Sequence, residues 1–196
     1  VIAPERTLLV LLAAGQSTRF GLSDKLVAPL GGKPLYRHAA DTLAAVPFLG
    51  RVVISSDRDP VLGVDGFDSI VNEAPERGLS SSLVLGVGAA QRLGAAAILV
   101  ALADMPFVTS AHVCALFAAA DGPAAMVASA IDDRAMPPAL FAAGRFADLA
   151  GSSGDQGARA LLGAATLVAA TAHELSDIDT PDDLARAQMW LAAPAQ

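Results

Sequence analysis

The chain of 196 residues is poor in basic side chains, in aromatics and in sulfur, and each shortage narrows what it can do. Lys and Arg number 13 against 20 Asp and Glu, a formal charge of −7 that argues against bulk nucleic-acid binding or docking on an acidic membrane surface. A small polyanion is still admissible, because a local pocket of a few cations is enough to hold it. The single Cys114 excludes an internal disulfide framework and fits a reducing cytoplasm, where the protein is expected to reside. Set in the apolar stretch AHVCALFAA, it reads as a core thiol rather than a nucleophile. His38, His112 and His173 show no metal-ligand spacing and suggest no Ser-His-Asp arrangement, so they read as structural or solvated. No apolar run approaches the ~20 residues of a membrane helix. The run TLLVLLAA after Arg6 has the look of a short signal peptide. With Glu5 beside Arg6 and no long apolar stretch following, it reads instead as a fully buried strand of a parallel sheet.

Hydrophobic residues are plentiful, at 54%, with alanine abundant and aromatics at 5%, the composition of a globular, helix-rich protein. Residues 1–196 are expected to form one domain with a sizeable core. Strand-like runs fall at 7–13, 51–55, 68–72, 96–102, 124–130 and 166–170. Helices are predicted over 34–46, with proline in the first turn, over 80–93, with serines to cap it, and over 109–120, 155–163 and 181–193. The last opens with Thr180-Pro181-Asp182-Asp183: an N-cap, a proline at the first helical position and two acids where they favour the helix dipole. The segment IDDRAMPPALF (131–141), with its two prolines, reads as a turn and an edge strand. Alternating strands and helices argue for an α/β sandwich around a mostly parallel sheet.

Ligands of open α/β sheets sit beyond the carboxyl ends of the strands. The loop after the first strand, LLAAGQSTRFGLSDK (11–25), therefore asks why a chain short of cations places Arg19 and Lys25 there. A dinucleotide fingerprint needs a glycine at position 17, which is Ser17. A Walker loop needs a lysine directly after its second glycine, and Gly21 is followed by Leu22. The reading that survives is a loop whose amides, from Gly15 to Thr18, wrap a triphosphate while Arg19 and Lys25 neutralise it.

The run Leu12-Ala13-Ala14-Gly15-Gln16-Ser17-Thr18-Arg19-Phe20-Gly21, with Lys25, resembles the signature of the molybdenum-cofactor cytidylyltransferase and MobA-like nucleotidyltransferase family, whose domain is the NTP transferase domain. Four further stretches are similar to that family: Asn72 with Gly78-Leu-Ser-Ser-Ser-Leu83 and Gly86; Ala103-Asp-Met-Pro106; Gly154-Asp-Gln-Gly-Ala-Arg159; and Asp177-Ile-Asp-Thr-Pro-Asp-Asp183. Two departures stand out. Ala74-Pro75-Glu76-Arg77 lacks the bulky aromatic often found ahead of the second motif. Ala135-Met136-Pro137 has methionine where the family carries histidine or asparagine, which bears on the acceptor substrate.

The resemblance implies a three-layer α/β/α sandwich, a Rossmann-like nucleotidyltransferase (glycosyltransferase-A-like) fold with a mostly parallel mixed sheet. It implies an enzyme that transfers CMP from CTP to the phosphate of molybdopterin cofactor with release of pyrophosphate, and a molybdoenzyme as partner. Guanylyl transfer, a different phosphorylated acceptor, or a non-catalytic cofactor-binding chaperone on the same fold are the alternatives. By the same likeness, Arg19, Lys25 and Asp104 are catalytic. The nucleotide falls to Leu12, Ala13, Ala14, Gly15, Ser17, Thr18, Arg19, Lys25, Asn72, Gly78, Ser81, Ser82 and Asp104. Asp104 would hold Mg2+, a hard cation shared with phosphate, unless it merely opens the Asp-x-Pro turn. A second carboxylate comes from Asp177 or Asp179, which alternation turns the same way, and Asp179 is assigned to the metal; alternatively both only introduce the final helix. Asp155 and Arg159 would meet the acceptor, or else pair with each other across one helical turn. Ala13-Ala14-Gly15, in place of Ala-Gly-Gly, is the form that accompanies cytidylyl transfer, because an added methyl narrows the space beside the base.

Overall fold

The computed structural model describes residues 2–15, 20, 24–56, 64–151 and 160–192. Its centre is a seven-stranded sheet of β1 (Thr7–Leu12), β4 (Gly50–Ser56), β5 (Asp68–Asn72), β6 (Ala97–Leu102), β7 (Met126–Ile131), β8 (Arg134–Ala142) and β9 (Thr166–Ala169), in the order β5-β4-β1-β6-β8-β7-β9. All run parallel except β8, which is antiparallel to both neighbours. A small hairpin, β2 (Pro29–Leu30) with β3 (Lys33–Pro34), turns through Gly31 and Gly32 at φ 56° and 87°. Two successive left-handed residues of this kind match the twist of a tight hairpin, and glycine reaches them without strain.

β1 is buried at every position, which is why its sequence shows no alternation. Alternate side chains nevertheless go to different cores. Leu9 and Leu11 join Val53, Leu99 and Ala101 on the face covered by α1 (Leu35–Ala44) and α3 (Ser110–Ala118). Leu8, Val10 and Leu12 join Val52, Ile54 and Ile98 on the face covered by α2 (Leu79–Leu93) and α4 (Phe146–Gly151). The result is a three-layer α/β/α sandwich with a mostly parallel mixed sheet. α2 lies especially close to the sheet: a Cβ on Gly86 would sit 2.9 Å from Val10 Cγ1. A third, smaller cluster joins Leu30 and Leu35 to Ile178 and to Ala187 of α5 (Pro181–Ala192). No described helix is long and apolar enough to cross a membrane.

Three expectations are corrected. β8 is not an edge strand but lies between β6 and β7. Its prolines fall where the β7–β8 register jumps from Ala128↔Ala139 to Ser129↔Met136, so Pro137 and Pro138 pair with neither neighbour and their missing N–H groups cost no ladder bond. The bulge is held by a buried chain of hydrogen bonds. Ser129 Oγ donates to the Pro138 carbonyl at 2.7 Å and lies 2.8 Å from His112 Nε2. With the only hydroxyl proton already used, the imidazole must be the donor. Cys114 is exposed, not a core thiol. His112, Val113 and Leu116 form the buried face of α3, and residue 114 points away from them; in an alanine-rich helix apolar composition alone does not mark the inner face. Finally, no serine caps α2. Gly78 takes that place at φ 79°, and the serines turn elsewhere. Of the predicted helix over 155–163, residues 160–162 are helical and the rest lies outside the described residues.

Candidate active site

Three loops meet at the carboxyl edge of the sheet. The first leaves β1, whose end is tied on both sides: Ala13 N donates to Ile54 O at 2.7 Å, and Ala103 N to Leu12 O at 3.0 Å. Leu12 and Ala13 are buried, Ala14 half-buried and Gly15 exposed, so the backbone emerges into solvent at the glycine. Ser17, Thr18 and Arg19 lie outside the described residues. The chain returns in a short turn at Lys25–Val27, capped by Asp24, whose side chain accepts from Leu26 N at 2.9 Å. Burial of Leu26 anchors that turn and fixes where the Lys25 stem begins.

The second loop leaves β6 at Asp104 and the third follows β9 to Asp179. They are joined by Ile178 N donating to Asp104 O at 3.0 Å. The Lys25 ammonium lies between them, 2.6 Å from Asp104 Oδ2 and 2.7 Å from Asp179 Oδ1. The three side chains are 8%, 18% and 27% exposed respectively. Burial works against the Lys25 charge, but the two carboxylates outweigh it and raise its pKa. Burial raises the Asp104 pKa, with Asp177 and Asp179 adding to the effect and Lys25 opposing it. Such a triad is a poor stability device, because desolvating the charges offsets most of their attraction. Its value must be sought in chemistry.

Asp104 Oδ1 is buried and has no hydrogen-bond partner. An acceptor-only oxygen, shut away from water beside a second carboxylate, suits a hard cation that keeps some waters and shares phosphate oxygens. Among the described residues no three metal-ligating side chains converge, so Asp104 and Asp179 would complete such a shell only with the triphosphate. Asp104 lies in a turn, but its carboxylate goes to Lys25 and caps no backbone N–H among the described residues. Of the two candidate partners, Asp179 reaches the site and Asp177 is exposed.

Asn72, at the end of β5, is 2% exposed. Its amide donates to Ser81 Oγ at 2.8 Å and to Ser82 Oγ at 2.9 Å, while Oδ1 accepts from Ala74 N. All three groups expected at a nucleotide are therefore brought together, with Asn72 bracing the turn into α2. Gly78 lies at that turn, and Ser81 Oγ donates back to its carbonyl. Beside it opens a cavity of about 610 Å³ lined by Asn72, Arg77, Ser80 and Ser81 over an apolar floor of Val84 and Leu85. Its size suits a small-molecule ligand. Met136 packs against the core that α1 and α3 cover. Asp155 and Arg159 lie outside the described residues. Ser55, near the end of β4, has a fully buried hydroxyl with no partner; as a serine in a strand-like run it carried no sequence signal.

Residues 9–172 match the family described as the MobA-like NTP transferase domain. The chain belongs to that family. It is a nucleotidyltransferase, and its sandwich is the Rossmann-like fold of those enzymes. It is 32% identical to the purine catabolism protein PucB of Bacillus subtilis, over 89% of this chain and 92% of that one. It is 31% identical to the molybdenum cofactor guanylyltransferase of Cereibacter sphaeroides, over 95% of this chain and 97% of that one. A solved structure, the Mycobacterium sp. strain JC1 homolog of Mycobacterium tuberculosis Rv0371c, superposes with a TM-score of 0.81 at 26% identity, covering 96% of this chain and 98% of its own.

Proposed function

We propose that this nucleotidyltransferase moves GMP from GTP to the phosphate of a molybdopterin-type cofactor and releases pyrophosphate. The observation that carries the proposal is the Lys25–Asp104–Asp179 cluster at the carboxyl edge of the sheet, beside the loop through Ala14 and Gly15. A full-length relative bearing the name molybdenum cofactor guanylyltransferase supports the choice of donor and acceptor.

The reaction asks little covalent help of a protein. An oxygen of the acceptor phosphate forms a bond to the α-phosphorus, the bond from that phosphorus to the bridging oxygen breaks, and pyrophosphate leaves with the electron pair. Position and charge compensation govern such a transfer. Arg19, Lys25 and the amides around Gly15 would hold the triphosphate. Asp104 and Asp179 would hold Mg2+, whose charge offsets that of the leaving pyrophosphate. Gly78, Ser81 and Ser82, braced by Asn72, would border the nucleoside, and Asp155 with Arg159 would meet the acceptor. A molybdoenzyme that takes up the product belongs to the same proposal.

One observation favours a second reading, cytidylyl transfer from CTP. Ala14 stands half-buried; by the family resemblance glycine accompanies guanylyl transfer at this position, and the added methyl would narrow the space for a purine. Pyrophosphate release, measured with each of the four nucleoside triphosphates with and without molybdopterin, tests both. Release with GTP and cofactor is the expected result. Release with CTP alone among the nucleotides supports the second reading, and release that does not depend on molybdopterin overturns the acceptor.

A further inference from the structure

We infer that Lys25 is the resident cation of the two-carboxylate site and that it keeps free divalent metal out until a triphosphate draws the ammonium away. The inference rests on the proposed metal role of Asp104 and Asp179. A divalent ion of the magnesium or manganese class binds carboxylate oxygen at about 2.0–2.2 Å. The Lys25 nitrogen is 2.6 Å from Asp104 Oδ2 and 2.7 Å from Asp179 Oδ1. An ion taking those same oxygens would have to compete with the ammonium for them, and two cations on one pair of oxygens repel each other.

Without Lys25, Asp104 would have Oδ2 released beside Oδ1, which is buried and already lacks a partner. With Lys25 in place, one charge is cancelled, two of the oxygens are spent and like-charge repulsion meets any arriving metal. The lysine stem is flexible and its head is a point charge with three donors, so it can exchange one set of anionic oxygens for another. A triphosphate bound at the adjoining loop offers such a set. The metal then enters with the nucleotide, on carboxylates that the departing ammonium has left. The capped turn at Asp24 and the buried Leu26 keep the base of the stem fixed, so the change is confined to the side chain.

Manganese(II) tests this with no nucleotide present, through the loss of its free-ion electron paramagnetic resonance signal on titration with protein. Lys25→Met, which keeps the stem length and removes the charge, is expected to bind manganese at least about tenfold more tightly than the wild type. Lys25→Gln, measured in parallel in case the methionine variant fails to fold, should shift the same way. Adding Asp104→Asn to either should abolish the gain, which places the ion. Manganese should also raise the melting temperature of the lysine variants and leave that of the wild type unchanged. Equal manganese affinity in the wild type and both lysine variants overturns the inference, as does a gain that survives Asp104→Asn. The titration contains no nucleotide, so it stands apart from the functional reading: a nucleotide panel without pyrophosphate release would sink that reading while the gain in manganese affinity remained.

Discussion

Ile178 donates its backbone N–H to the carbonyl of Asp104 at 3.0 Å, which stitches the segment after β9 onto the end of β6. This bond, together with the packing of Ile178 against Leu30, Leu35 and Ala187, sets the neighbouring Asp179 where it shares the Lys25 ammonium with Asp104, although Lys25 and Asp179 are 154 residues apart in the chain. The carboxylate pair therefore has support from backbone and core packing besides the ion pair.

Asp104→Asn should accordingly fold and lose turnover. The amide keeps the shape, Ile178 still finds its carbonyl, and Lys25 keeps Asp179. The charge that would hold the metal is gone. A fall in kcat of roughly 10²–10³-fold is expected, the range seen when one preorganised electrostatic group is removed, with the circular dichroism spectrum unchanged. Undiminished kcat at ordinary magnesium would place the metal elsewhere.

A second expectation concerns the turn that presents Asp179. Thr180 and Asp183 form a reciprocal cap: Asp183 N donates to Thr180 Oγ1, while Thr180 N and Oγ1 donate to Asp183 Oδ2. The Thr180 hydroxyl, followed by the backbone N–H groups of Thr180 and Asp179 and by Arg186, holds the Asp183 carboxyl below its ordinary value of 3.8. A depressed folded pKa stabilises the fold above the unfolded value and loses that contribution as pH falls through the folded one. Asp183→Asn should thus cost about 1 kcal/mol near neutrality, and the gap from the wild type should close below about pH 4. Urea titrations of both proteins across that range measure it, and a gap independent of pH would contradict the assigned cause.

Gly86→Ala probes the close approach of α2 to the sheet. In an isolated helix alanine is the better residue, so a solvent-facing site would gain stability. Here the added methyl meets Val10 Cγ1 at 2.9 Å and Cγ2 at 3.1 Å, on a strand that cannot retreat. Overpacking of this kind costs about 1–3 kcal/mol, and chemical denaturation is expected to show a loss in that range, not a gain.

Much of this architecture was legible in the sequence. Short apolar runs between turn residues marked β1, β4 and β6 to within a residue or two, because strands inside a parallel sheet are buried on both faces, and the edge strand β5 was placed as well. The Thr180 cap was equally plain, since all its parts lie within one turn of chain. β8 was misread because proline was taken as an edge signal, and only the pairing shows that a bulge carries it. Cys114 was misread because alanine supplies apolar composition without fixing which side of a helix is buried. The loop residues of the candidate site could be named one by one from the motifs. What could not be foreseen was that Lys25 would sit on Asp104 and Asp179, or that Asn72 would spend both amide hydrogens on Ser81 and Ser82. Those contacts depend on side-chain placement across distant segments, and no spacing in the chain encodes it.

Ala14 bears on the base. Its neighbour Ala13 is pinned to β4 through Ile54 O, so the backbone beside Ala14 has little room to shift and its methyl has a fixed place. If that methyl crowds a purine, Ala14→Gly should move the ratio of kcat/KM for GTP over CTP upward, by roughly ten- to two-hundred-fold, the range for one methyl group in a tight pocket. Specificity is a difference between two transition-state affinities, and a methyl that crowds the base changes only the purine term. Both nucleotides must be measured under the same magnesium. A parallel fall for both would report a loosened loop, since glycine also frees the backbone, and would contradict a selective role for the methyl. The wild-type ratio is informative in its own right. A preference for GTP with Ala14 in place means that the methyl lies clear of the base and the mutant ratio should hardly move. A preference for CTP that Ala14→Gly relaxes would overturn guanylyl transfer and make this one methyl the reason.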